Sequence, residues 1–211
     1  MKIKICGVTL TEDAARIAEL GADYIGLNFW PRSKRRVDVE RAAAIAAAVR
    51  GAGPARIVGV FVDADAGEIA AVHARVGLDV IQLHGAEPPE VAAAVAGATG
   101  RPVWKAIAAG GPGDVDGLDA WPVDAILLDT PTPGKGGSGE TFDWALARAA
   151  RVRHPARRLV LAGGLHPGNV AGAIAAVSPW AVDVASGVEA APGVKDAGKV
   201  AAFVAAARAA R

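Results

Sequence analysis

The chain holds one cysteine, and it stands where the short apolar run Lys2-Ile-Lys-Ile-Cys6 ends, just before Gly7. A lone cysteine is commonly a small buried apolar group. At the C-terminal end of a strand it is also a candidate base or nucleophile. Asp129 closes a second apolar run, Ala125-Ile-Leu-Leu128. A carboxylate there is hard to bury without a purpose. It is either an acceptor for the following turn or, desolvated in a cleft, a general acid. A thiol and a carboxyl in these roles would move protons.

Other strand ends carry Asn28, Asp63, the Gln82–His84 pair, Lys105 and Asp183. Gly163-Gly164 and Ser186-Gly187 sit after two late strands. Glycines let backbone N–H groups approach a phosphate, and a helix N-terminus beyond them favours its charge. Arg32, Lys34, Arg35 and Arg36 cluster after the second strand. Most of such a cluster is solvated surface, but one arginine turned inward could hold a carboxylate in a two-pronged grip. His73 and His154 read as surface residues, His166 as the start of a helix, and no Cys/His/carboxylate spacing reads as a metal site. The stretch Gly134-Lys-Gly-Gly-Ser-Gly139 matches G-x-G-x-x-G only formally. Pro131 and Pro133 separate it from the strand, and no acid follows near Leu159. Aspartate at 129 also rules out a Walker A loop. The stretch reads as a mobile lid over the site or a plain flexible loop.

These residues need a scaffold that brings strand ends together. Eight strand candidates recur along the chain: Lys2–Cys6, Tyr24–Phe29, Ile57–Val62, Val80–Leu83, Val103–Ile107, Ala125–Leu128, Leu159–Ala162 and Val182–Val184. They are rich in Val, Ile and Leu with little alternation, as parallel strands buried on both faces should be. Ala-rich helical stretches follow. Thr9 with Glu12 reads as a capping box opening the first, which Gly21 stops, and the next spans Val39 to Arg50 and ends at Gly51. Others fall at Ala66–Val76, Pro88–Ala96, Asp143–Arg153, Pro167–Val177 and Lys195–Ala209, while Gly113–Trp121 is only weakly helical. The rhythm predicts an α/β fold, a single compact (β/α)8 TIM barrel over residues 1–211, with its active site at the C-terminal face of the strands. At about 26 residues per unit it is smaller than the roughly 250 residues typical of the fold. An open doubly wound sheet is the rival.

Composition narrows the function. Twenty-three basic residues against 22 acidic leave a net charge of +1, which is no footprint for nucleic acid. One cysteine excludes an internal disulfide framework and fits a reducing compartment. The apolar run Ala42–Val49 is far short of a membrane span. The start, MKIKICGVTLTED, has no stretch suited to a signal peptide. A cytoplasmic protein with no membrane association is expected.

Taken in order, the blocks Lys4-Ile-Cys-Gly7 with Thr9, Ser33-Lys-Arg35, Gly59-Val-Phe-Val62, Gln82-Leu-His-Gly-Ala-Glu87 and Leu128-Asp129 resemble the phosphoribosylanthranilate isomerases of tryptophan biosynthesis. So do Gly136-Gly-Ser-Gly139 with Phe142-Asp-Trp144, Ala162-Gly-Gly-Leu165 with Asn169-Val170, and Asp183-Val-Ala-Ser-Gly-Val-Glu189 with Lys195-Asp196. The resemblance implies an Amadori rearrangement of N-(5-phosphoribosyl)anthranilate, a small phosphorylated aminosugar, with no cofactor and no metal. It implies Cys6 as general base, Asp129 as general acid, Arg35 on the anthranilate carboxylate, and Asp183 near the anthranilate amine or the sugar. Gly163, Gly164, Ser186 and Gly187 are expected at the phosphate, and His84 and Gln82 in the mouth. Two residues depart from the family pattern: Lys34 replaces a common proline and Ala185 a common serine. Arg36 is the alternative to Arg35. The chemistry requires the aspartate to be raised from about 3.9 and the thiol lowered from about 8.5. A monomer is expected, with a homodimer as the alternative. Another phosphate-binding barrel enzyme or a non-catalytic phosphate sensor would use the same scaffold.

Overall fold

The computed structural model describes residues 1–130 and 143–210. Eight parallel strands close on themselves in sequence order. They are β1 (Lys2–Cys6), β2 (Tyr24–Asn28), β3 (Arg56–Phe61), β4 (Val80–Leu83), β5 (Val103–Ala108), β6 (Ala125–Asp129), β7 (Leu159–Leu161) and β8 (Ala181–Val184). Closure is made by β1 and β8, which align Lys4 with Asp183 and Ile5 with Val184. The barrel, not the open sheet, is the fold.

The missing alternation has a direct cause. One face of each strand packs against helices through residues such as Ile3, Ile5, Ile25, Leu27, Ile57, Ile81, Leu128 and Val182. The other face fills the barrel interior with Tyr24, Val58, Val80, Trp104, Leu127, Val160 and Ala181. Both faces are therefore apolar along most of each strand. Aromatic rings close the interior near the strand starts: Tyr24 meets Trp104 edge-on at 4.9 Å between centroids, and Trp104 meets Trp180 at 5.7 Å. Toward the strand ends the inward positions turn polar.

The helices are α1 (Thr11–Glu19), α2 (Val39–Ala52), α3 (Ala66–Val76), α4 (Pro89–Thr99), α5 (Trp144–Arg153), α6 (Val170–Val177) and α7 (Ala197–Ala209). Aspartates cap four of them: Asp38, Asp65, Asp143 and Asp196 each accept from a first-turn backbone N–H. Gly77 and Gly100 end α3 and α4 in the left-handed conformation that glycine adopts freely. Two expectations about helix ends are corrected. Thr9 does not cap α1: its hydroxyl donates to the Gly193 carbonyl at 2.8 Å, and α1 opens at Leu10 without a side-chain cap. Gly51 lies inside α2, which continues to Ala52.

No α-helix covers β5. Two short 3-10 turns, Pro112–Val115 and Leu118–Ala120, stand in its place. His154 anchors them and is buried, contrary to its surface reading: its ring bonds Asp119 at 2.6 Å and the Val115 carbonyl at 3.0 Å. Beyond β8, β9 (Glu189–Ala191) and β10 (Val194–Lys195) form a small antiparallel hairpin turning at Gly193.

Trp104, 2% exposed, anchors the closed end of the barrel. Trp104→Ala should cost about 3–5 kcal/mol, read as a lower urea midpoint. A loss below about 1 kcal/mol would mean that the aromatic closure is not tightly packed.

Candidate active site

Strand residues two apart share a face. Lys4 and Cys6 thus follow one another up the inner side of β1, and Asp183 stands beside them on β8. The Lys4 ammonium donates to Asp183 Oδ2 at 2.9 Å, and Lys4 has no exposed surface. The ammonium and the Cys6 sulfur are close enough for each to favour the other's charged form. Burial opposes the charge on Lys4, but Asp183 and Cys6 outweigh it and hold the ammonium above the usual lysine range. Asp183 Oδ1 is buried and has no partner. Gly26, opposite Cys6 on β2, makes the room: a Cβ there would stand 2.8 Å from Cys6 Sγ and 3.2 Å from Lys4 Cε.

Burial is the largest influence on Cys6 and pushes its thiol up. Lys4 pulls it down, Asp183 pushes it up again, and the net result lies above the ordinary thiol value. This corrects the expectation of a lowered thiol. The nearby positive charge exists, but desolvation and the Asp183 carboxylate outweigh it.

On the far side of the mouth, Asp129 continues the inward face of Ala125 and Leu127 on β6. One oxygen accepts from the Thr130 backbone N–H at 2.8 Å. The other lies 3.5 Å from His84 Nε2, and His84 Nδ1 is 2.9 Å from Gln82 Nε2. Because β5 separates β4 from β6 in the barrel, the His84–Asp129 contact reaches across the mouth. Gln82 is fully buried and its Oε1 has no partner.

Arg35 is turned inward, while Arg36 and Lys34 are exposed. Its aliphatic stem fills the space over Gly7, where any Cβ would collide with Arg35 Cδ. Glu189 grips the guanidinium at Nε (2.7 Å) and Nη2 (2.8 Å) and also accepts from Lys195 Nζ at 2.8 Å. Burial raises the Glu189 carboxyl, but hydrogen bonds from Arg35 and Lys195 and their charges prevail and hold it below the usual range. Gly163 and Gly164 take positive φ values of 84° and 64° after β7. Gly187 lies so close to the Leu165 carbonyl that a Cβ would overlap it, so the loops after β7 and β8 press together. Asn169 braces the first of them, donating to the Gly164 carbonyl at 2.9 Å.

Not every strand-end residue faces the mouth. Lys105 points outward from β5 and donates to Glu87 at 2.8 Å and the Gly85 carbonyl at 2.7 Å. Asp63 accepts from the Ala86 backbone at 2.7 Å. Both brace the loop after β4. The glycine-rich stretch 134–139 lies outside the described residues. Among the described residues, no group of three His, Cys, Asp or Glu is arranged to hold a metal ion, and no helix is long and apolar enough to cross a membrane.

A family model described as N-(5'-phosphoribosyl)anthranilate isomerase matches residues 3–206. The chain belongs to that family. A Geobacter relative (strain M21) of that name is 46% identical over 209 residues, covering 98% of each chain. The crystal structure of the Thermotoga maritima phosphoribosylanthranilate isomerase superposes with a TM-score of 0.90 at 43% identity, covering 99% of each chain. Another isomerase structure, in complex with reduced 1-(o-carboxyphenylamino)-1-deoxyribulose 5-phosphate, gives 0.87 at 40% identity, again over 99% of each chain. The chain is thus an enzyme of an isomerase family of tryptophan biosynthesis. Sequence reasoning assigned no part in this isomerase-family site to Lys4, Glu189 or Lys195. Lys4 could have been found from its spacing, since it shares the inner face of β1 with Cys6.

Glu189 stabilises the fold only while ionised. Its contribution is present above the unfolded carboxyl value of about 4.3 and fades as pH falls through its lower folded value. The melting-temperature gap between the wild type and Glu189→Gln should therefore be widest near neutrality and narrow in acid. A gap constant with pH would remove the Arg35–Glu189–Lys195 network as its source.

Proposed function

We propose that the chain catalyses the Amadori rearrangement of N-(5-phosphoribosyl)anthranilate to 1-(2-carboxyphenylamino)-1-deoxyribulose 5-phosphate, with Asp129 as general acid and Cys6 as general base. The observation that carries this reading is the pairing of inward-facing Cys6 and Asp129 at the ends of β1 and β6, three strands apart around one mouth. Neutral Asp129 protonates the furanose ring oxygen, and the ring opens to an imine. The Cys6 thiolate then takes the proton from sugar C2, giving an enolamine that tautomerises to the ketone. The iminium is its own electron sink, so no cofactor enters.

Asp183 Oδ1, buried and unpartnered, supports a contact with the anthranilate amine. Arg35 is favoured over Arg36 for the anthranilate carboxylate, since Arg36 is exposed. Glu189 occupies the Nε side of Arg35 and leaves the terminal edge of the guanidinium for the ligand. Backbone N–H groups around Gly163, Gly164, Ser186 and Gly187 suit the phosphate. They make no use of a side chain at Ala185, so its departure from the family pattern does not remove the site. His84 and Gln82 hold the position of Asp129.

Loss of phosphoribosylanthranilate fluorescence measures turnover directly. Cys6→Ala and Asp129→Asn should each lower kcat by about 10²–10⁴-fold. Near-normal turnover in either variant refutes that residue's role. Because the resting thiol lies above its ordinary value, the residual kcat/KM of Asp129→Asn, which no longer needs a protonated acid, should keep climbing from neutral into alkaline pH. A plateau reached below neutrality would contradict a thiol base in this state.

A further inference from the structure

The feature that the mechanism above leaves unused is Lys4. A lysine with no exposed surface in a barrel interior carries a large desolvation cost, and an apolar side chain of similar length would fill the same space without it. Its ammonium has three donors. One goes to Asp183 Oδ2 at 2.9 Å, and the side chain shares the space opposite Gly26 with the Cys6 sulfur. Lys4 and Cys6 are adjacent positions on the same face of β1, and Gly26 keeps the opposing strand clear of both.

We propose that Lys4 is a positioning residue that stabilises the thiolate of Cys6, and that Asp183 sets how much of the Lys4 charge the sulfur feels. This rests on the reading of Cys6 as the base. On ionisation the S–H bond breaks, its proton leaves through the mouth to solvent, and the electron pair stays on sulfur beside the ammonium. Two other cations reach toward the thiol: Lys195 from β10 and Arg35 from the loop after β2. Both are tied to Glu189, which spends much of their charge. Lys4 is the cation on the sulfur's own strand and face, and of the three it exerts the largest pull on the thiol. Its competing partner, Asp183, has one buried oxygen still open to a donor. A ligand N–H placed on that oxygen would disperse the carboxylate charge and leave more of the Lys4 field to the sulfur. The base would then strengthen as the site fills.

Cys6 is the chain's sole cysteine, so the pH dependence of iodoacetamide alkylation reports on it, as does ultraviolet thiolate absorbance taken as the difference from Cys6→Ala. Lys4→Met should move the titration midpoint upward by about one pH unit or more. Asp183→Asn should move it downward, because the ammonium then faces the sulfur without a competitor. A pair that only held the fold together would give no such opposition of sign. If Lys4→Met does not melt cooperatively, Lys4→Met/Asp183→Asn leaves no unpaired buried charge and should still titrate above Asp183→Asn. Equal midpoints in the wild type and Lys4→Met, in the double variant and Asp183→Asn, or an upward shift in Asp183→Asn, would overturn the proposal. Turnover separates this from the reading beneath it. Opposed shifts with an active Cys6→Ala would sink the base assignment and leave the Lys4 effect standing. Unmoved midpoints with an inactive Cys6→Ala would sink only the role of Lys4.

Discussion

Closure of the parallel sheet is the constraint on which the site depends. When β1 bonds to β8, residues at opposite ends of the chain become neighbours, and Lys4 meets Asp183. A thiol two residues further along β1 then faces the same interior as a carboxyl on β6. None of these pairings is local in sequence. Each follows from hydrogen-bonded strands arranged in a ring, with side chains alternating between interior and helix layer. An open sheet with the same elements would set β1 and β8 apart and leave a buried lysine without its counter-charge.

Within that ring, stability and chemistry are sorted along the barrel axis. Tyr24, Trp104 and Trp180 pack near the strand starts, where only volume matters. Lys4, Gln82 and Asp183 form a polar middle, each buried. Cys6, Asn28, His84 and Asp129 rim the open end. Polar atoms left unpartnered in the described interior, Gln82 Oε1 and Asp183 Oδ1, belong to the middle level. A buried oxygen without a donor is costly in a resting protein. The proposed substrate would supply the donor for Asp183.

Much of this was readable from residue order. Apolar runs located all eight strands to within a residue or two, because parallel strands buried on both faces leave an unmistakable Val/Ile/Leu signature. The polar strand ends, Gly163-Gly164 and Ser186-Gly187 were legible for the same reason: they interrupt that signature. What stayed hidden was orientation and environment. Lys105 and Asp183 both look like strand-end polar residues, yet one points to Glu87 behind the sheet and the other into the barrel, a difference of one position in register. His154 looked superficial until the 3-10 turns after β5 gave it partners. Thr9 looked like a cap, but the hairpin turn at Gly193 competes for its hydroxyl. The direction of the Cys6 shift could not be read either, because it depends on how far burial and Asp183 offset Lys4.

The resting state of Cys6 also bears on durability. Peroxide and other oxidants attack sulfur mainly as thiolate. Here the protein's single sulfhydryl is partly covered and held toward its protonated form by burial and by the Asp183 carboxylate. An idle molecule therefore presents little oxidisable sulfur. If the base strengthens as the site fills, as proposed, the sulfur becomes most oxidisable only while a ligand occupies the mouth.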